Sequence, residues 1–134
     1  MRFEVRGVYG GRAEGRLVVS PEPVSFLGGV DPESGRVRER SHPLEGVDIS
    51  GKLLVLPRSK GSTVGCYVLY AMRKRGTAPA GIVCTEADEL LVSGAVISEL
   101  PLAVCSRRVL EELLVSMGRR GVLEPELGYL EVLE

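Results

Sequence analysis

Residues 2–9, RFEVRGVY, alternate, with Phe3 and Val5 on one face and Glu4 and Arg6 on the other. A period of two marks a half-buried strand. GGRAEG punctuates, and RLVVS (16–20) reads as a second strand. GKLLVLP (51–57) has a different pattern, a continuous apolar run flanked by breakers. That pattern predicts a strand buried on both faces. AGIVCTE (80–86) and LPLAVCS (100–106) repeat it. Helical patterns alternate with these runs. TVGCYVLYAMRKR (63–75) ends in cations, and Gly76 is placed as its C-cap. ADELLVSGAVISE (87–99) reads as a short helix despite Gly94. RRVLEELLVSMGRRG (107–121) is amphipathic and ends in Gly118 and Gly121. GVLEPELGYLEVLE closes the chain with one or two short strands.

Strand and helix in alternation predict an α/β fold with a parallel core and right-handed crossovers. The opening residues are expected as antiparallel strands beside it, and residues 1–134 as a single domain. One segment resists assignment. PEPVSFLGGVDPESGRVRERSHPLEG (21–46) is rich in Pro, Gly and Ser. So long an irregular stretch inside a compact domain is expected to carry function or wrap a partner.

Composition narrows the classes. The chain has 134 residues, enough for one real core. A formal net charge of -1 gives no field that would draw nucleic acid or an anionic membrane. No apolar stretch approaches the roughly 20 residues of a membrane helix. The alternating N-terminus is unlike a secretory signal, so a cytoplasmic location is expected. Cys66, Cys84 and Cys105 each sit among apolar neighbours, where cysteine packs as a small hydrophobe. Ligand spacing is missing, and His42 is the sole histidine, so no metal site is expected in this chain. Asn and Gln are absent, which points to a hot-growing source, while the excess of Arg over Lys fits a GC-rich genome equally well.

The candidate chemistry lies between a buried run and a helix, at Arg58-Ser59-Lys60-Gly61-Ser62-Thr63. Serine is a preferred N-cap, and capping alone explains Ser62. The neighbours suggest more. Gly61 permits close backbone approach, the helix start attracts anions, and Lys60 and Arg58 add positive charge. PRSKGSTVG is neither a Walker A loop nor a nucleophile elbow, and no His–Asp pair is evident to activate the serine.

Two other features stand out. FLGGVDPESG (26–35) joins Phe26, Leu27 and Val30 to Gly28, Gly29 and the turn signal Asp31-Pro32. An apolar cluster in a loop is expected to mark an interface. His42 precedes a proline and is expected to be structural. Arg36, Arg38 and Arg40 alternate as on one exposed face, without the interleaved aromatics that base stacking needs.

PVSFLGGVDPESGRV, HPLEG with ISGKLLVLP, and KGSTVGCYVLY, in that order, resemble the small subunits of the aconitase X family. The resemblance runs from about Gly7 to Leu102. It implies the swivelling β/β/α domain of aconitases. It implies a larger partner subunit that holds a 4Fe–4S cluster through its own cysteines. It implies a hydro-lyase, whose archaeal branch dehydrates (R)-mevalonate 5-phosphate to trans-anhydromevalonate 5-phosphate for isoprenoid synthesis. Other members act on cis-3-hydroxy-L-proline. The family's proton-accepting serine falls on Ser62, with Lys60, Gly61, Arg58 and Thr63 around it and residues 26–31 as the subunit-facing loop. In ordinary aconitases the corresponding serine lies in a GSSREH-like run whose arginine assists. Here Thr63-Val64-Gly65 follows, which leaves the assisting cation to Arg58, Lys60 or the partner.

Overall fold

The computed structural model describes residues 1–133. The strands are β1 (Arg2–Glu4), β2 (Arg6–Tyr9), β3 (Ala13–Val19), β4 (Val24–Ser25), β5 (Leu53–Leu56), β6 (Ser59–Lys60), β7 (Gly81–Cys84), β8 (Leu102–Val104), β9 (Arg120–Glu124) and β10 (Tyr129–Val132). The helices are α1 (Cys66–Arg75), α2 (Glu89–Ser98) and α3 (Arg107–Leu113). Eight strands form one sheet in the order β1-β10-β9-β3-β5-β7-β8-β2. Its two ends are consecutive in the chain and meet at Val5, whose N–H donates to the Gly128 carbonyl at 3.0 Å. One alternating segment therefore serves both edges and removes the exposed edge that an open sheet would present.

β3 turns the other corner. Ala13–Arg16 pairs antiparallel with β9, and Leu17–Val19 pairs parallel with β5. The result is an antiparallel layer facing a parallel one. Between them lies an inner core that includes Phe3, Leu17, Leu53, Val55, Leu123 and Leu130, to which α3 adds Leu110 and Leu113. The outer face of the parallel strands, with Leu54, Leu56 and Ile82, is covered by Leu69 and Met72 of α1 and Leu91 of α2. β5 faces a core on each side, which is why its sequence is apolar without alternation. The layers are those of the expected β/β/α fold.

Three expectations need correction. β3 begins at Ala13, inside the stretch taken as punctuation, because Ala13–Arg16 has β9 to pair with. The helix expected over 107–121 is α3 followed by a single 3-10 turn, Leu114–Ser116. Gly118, at a φ of 87°, reverses the chain, and Arg120 and Gly121 already belong to β9. Segment 21–46 is not a loose wrap. It holds β4 and, with Asp48, the bridges Val30↔Val37 and Arg36↔Asp48. Val24, Phe26, Val30, Val37, Leu44 and Ile49 drive it into the outer core. The apolar cluster at 26–30 is thus mostly this chain's own core. Phe26 and Val30 are buried, and Leu27 is exposed.

His42 is buried and pins this segment. Its Nδ1 accepts from Leu44 N–H at 2.9 Å, and Nε2 stands 2.9 Å from the Pro23 carbonyl, where it must donate. The structural role expected for it is what the geometry gives. The three cysteines are free and buried. Burial pushes the Cys84 thiol up to about 12, with Cys105, Asp88 and Glu86 adding to it, and the Cys105 thiol up to about 11. Among the described residues, no helix is long and apolar enough to cross a membrane.

Two measurements check this packing. Phe26→Ala should cost roughly 3–5 kcal/mol in denaturant unfolding, whereas Leu27→Ala should stay within about 0.5 kcal/mol. The raised thiols give a pH signature. In the unfolded chain they ionise from about 9, whereas in the folded chain they stay neutral to about 11 and 12. The unfolded state therefore binds fewer protons in this window, and stability falls as pH rises through it. Cys84→Ser or Cys84→Ala should flatten the decline, read by thermal melts from pH 8 upward.

Candidate functional site

β5 delivers the chain to Pro57 at the C-terminal edge of the parallel layer, where α/β folds place their ligand sites. There the Pro57 carbonyl accepts from Thr85 N–H at 3.1 Å, Glu86 N–H at 3.0 Å and the Thr85 hydroxyl at 3.0 Å. This ties the exit of β5 to the exit of β7. β6 follows and pairs parallel with β4, Val24 opposite Ser59 and Ser25 opposite Lys60. Gly61 then turns the chain at a φ of 90°, a conformation that a side chain would strain. Ser62 is extended (φ -68°, ψ 140°) and caps the 3-10 turn Thr63–Gly65, its Oγ accepting from Val64 N–H at 3.3 Å. The turn runs directly into α1. α1 ends at Gly76 in the left-handed conformation, as the sequence predicts.

Gly65 brings the two sequence-derived candidates together. A Cβ there would lie 2.7 Å from Leu90 Cδ1 and 3.4 Å from Leu27 N. The start of the helical segment therefore packs at once against α2 and against the 26–29 loop. Ser25, Leu27, Gly28, Gly29, Glu39, Lys60 and Gly61 line a shallow cleft of about 330 Å³. Ser62 is exposed and follows Gly61, the last residue of that lining, in the chain. Exposed around the same turn are Leu27 (51%), Val64 (51%) and Tyr67 (65%).

The charges are arranged differently from the expectation. Lys60 Nζ lies 2.5 Å from Glu39 Oε2, and Glu39 Oε1 takes the Ser25 N–H at 3.4 Å. The lysine and this N–H hold the Glu39 carboxyl below its usual range against the opposing effect of burial. Arg58 Nε donates to the Ser59 carbonyl at 3.1 Å, and its Nη1 faces Glu86 at 3.7 Å. Each cation is committed to a carboxylate, and among the described residues no charged side chain hydrogen-bonds the Ser62 hydroxyl. Thr63 is exposed and opens the 3-10 turn. Asp31 shapes its own loop. It accepts from Glu33 N–H at 3.0 Å and Ser34 Oγ at 3.0 Å, the bonds that chiefly hold its carboxyl low. Arg38 reaches the Gly28 carbonyl at 3.3 Å and braces the same loop.

Sequence reasoning passed over two carboxylates here. Asp88 accepts Ser59 N–H at 2.8 Å, Ser59 Oγ–H at 2.6 Å and Leu91 N–H at 3.2 Å. Its position as N-cap of α2 was readable from an aspartate opening a helical pattern. Glu39, flanked by exposed arginines, gave no local signal. A cluster fits poorly. All three cysteines are buried, the Cys84 and Cys105 thiols resist ionisation, and no group of three His, Cys, Asp or Glu converges among the described residues. The described residues do not offer a ligand set for iron and sulfur.

Comparison with known proteins identifies the arrangement. The aconitase X swivel domain model matches residues 2–131. The phosphomevalonate dehydratase small subunit of Thermococcus gammatolerans is 42% identical, covering 100% of this chain and 99% of that protein. The protein of the same name from Methanosarcina mazei is 42% identical over 100% of this chain and 92% of its own length. The crystal structure of Thermococcus kodakaraensis aconitase X in its holo-form superposes with a TM-score of 0.90 at 40% identity, covering 100% of this chain and 99% of that one. The chain belongs to the aconitase X swivel-domain family.

Proposed function

We propose that this chain is the small subunit of a phosphomevalonate dehydratase, and that Ser62 is the proton acceptor of a site completed by a large subunit. The relatives' names support the activity. The observation that carries the serine role is its placement. An exposed serine caps the first turn of a helical segment, directly after a left-handed glycine that lines a cleft. Dehydration of (R)-mevalonate 5-phosphate takes a proton from the carbon next to the carboxylate and a hydroxyl from the carbon after it. Ser62 acts on the proton side. A serine alkoxide is basic enough, and the first-turn N–H groups and helix dipole favour the negative oxygen. General-base help of this kind is worth roughly 10²–10⁴ in rate.

The remaining positive charge comes from the large subunit, because Arg58 and Lys60 already face Glu86 and Glu39. The 4Fe–4S cluster belongs to that subunit as well, and the assembly works in the cytoplasm. Leu27, Val64 and Tyr67 border the serine turn as exposed apolar surface, and the partner covers them. The interface expected over residues 26–31 thereby shifts to Leu27 with Gly28, Gly29 and Asp31 on the loop side, joined by Val64 and Tyr67.

Coexpression with a large subunit and assay of water loss from mevalonate 5-phosphate tests the activity, with cis-3-hydroxy-L-proline as the competing substrate. Ser62→Ala should lower kcat by roughly 10²–10⁴ and cost only about 1 kcal/mol as a lost cap. Near-normal turnover would leave Ser62 as a cap and nothing more. For the interface, Val64→Asp or Tyr67→Asp should weaken association with the large subunit by about tenfold or more at unchanged melting temperature, measured by titration calorimetry. Unchanged affinity would move the interface elsewhere.

A further inference from the structure

We infer that Asp88 is a positioning residue for the dehydration site, acting through Ser59 on the serine turn. The inference rests on the reading of Ser62 as proton acceptor. Ser62, Thr63 and Val64 are exposed, so packing of their own side chains does little to hold them. The chain before them is fixed from two sides. Ser59 is 3% exposed, and Asp88 binds both its backbone N–H (2.8 Å) and its hydroxyl (2.6 Å). The same carboxylate takes Leu91 N–H at 3.2 Å, which anchors it to the first turn of α2. On the cleft side, Glu39 spans Lys60 and the Ser25 N–H and so cross-links β6 to β4. Two carboxylates from separate segments thus grip the two residues of β6. Beyond that grip lies Gly61, the pivot, and then Ser62.

The reach makes the grip matter. Ser62 is the third residue after Ser59, and three residues of extended chain span at most about 10 Å, so an error at Ser59 reaches Ser62 with little chain to absorb it. Misplacing a reacting group by about 1 Å can cost roughly 10²-fold in rate. Asp88 is suited to the task because an ionised carboxylate is acceptor-only, and each of its three recorded partners is a donor. An amide of the same shape turns an N–H₂ toward one of those donors. The interaction at Ser59 is charge-assisted and sits against a buried residue, which makes it stronger than the exposed pairs elsewhere.

The test uses Asp88→Asn and Asp88→Ser. Serine keeps an N-cap for α2 but cannot hold both donors of Ser59, so its folding is protected while the grip is lost. In the reconstituted two-subunit enzyme each variant should lower kcat by roughly tenfold to a hundredfold and leave KM within about threefold. The loss should disappear in a Ser62→Ala background, because residues that act through one another are not additive. Hydrogen exchange on the full chain gives a second reading independent of activity. The amides of residues 61–64 should exchange faster in both variants, with β5 and α1 unchanged. An undiminished further loss in the Ser62→Ala background, or unchanged exchange at 61–64, would overturn the inference. If Ser62→Ala itself turns over normally, the proton-acceptor reading falls, and the exchange measurement still decides whether Asp88 holds the turn.

Discussion

The structure depends on β5 being held on every side. Its residues Leu53–Leu56 are fully buried, alternately in the inner and the outer core. A strand that is apolar on both faces gains no register from amphipathicity, because a slip of one residue would still bury apolar groups. Its register comes from pairing instead. Leu53–Val55 run parallel to Leu17–Val19 on one side, and Leu53–Leu56 run parallel to Gly81–Cys84 on the other. The closed sheet prevents either neighbour from drifting, since residues 2–9 tie its two ends together through Val5. The exit of β5 is therefore a fixed point, and the serine turn begins only a few residues beyond it.

That fixed point carries the serine turn. Arg58 and Lys60 are the cations nearest in sequence to Ser62, and both are spent on carboxylates of this chain. Exposed pairs of this kind contribute about 0–1 kcal/mol to stability, so their value lies in geometry more than in energy. Lys60 held by Glu39 keeps β6 against β4, and Arg58 held by Glu86 lies along the β5–β7 exit. What stands exposed at the surface beside them is a hydroxyl bonded only to a backbone N–H among the described residues, a glycine pivot and three apolar side chains. In the proposed assembly, a second chain on that surface meets the Ser62 hydroxyl already in place and supplies the charge.

The strand–turn–helix logic was legible in the sequence because it is local. LLVLP, the polar turn and the helical run with its terminal cations each announce themselves within a few residues. Contacts between distant segments were not legible. Phe26 and Val30 look exposed because their neighbours are Gly, Pro and Ser, and only the packing of 21–49 on the outer core shows otherwise. The helix expected over 107–121 failed for a similar reason. Its last residues satisfy a helical pattern, yet β3 offers them a ladder, and the ladder wins. Glu39 and Asp88 reach the site across long chain separations, the latter 29 residues from Ser59, which no window reads.

In the role proposed for Ser62, capping and proton transfer draw on the same bond. The Oγ that accepts Val64 N–H satisfies an orphan donor of the first turn. When the hydroxyl loses its proton, that N–H remains as a donor to a charged oxygen, and hydrogen bonds to the charged form favour it. The interaction strengthens as negative charge develops, at the helix end where the dipole also favours an anion. A cap that is ordinary in the resting state is thus pre-aimed at the alkoxide, with no reorganisation at the moment of proton transfer. The 3-10 geometry of Thr63–Gly65 contributes by turning its N–H groups tightly toward residue 62. On the proposed reading, Ser62 needs no partner histidine, because the backbone of the next turn provides part of what a base must have.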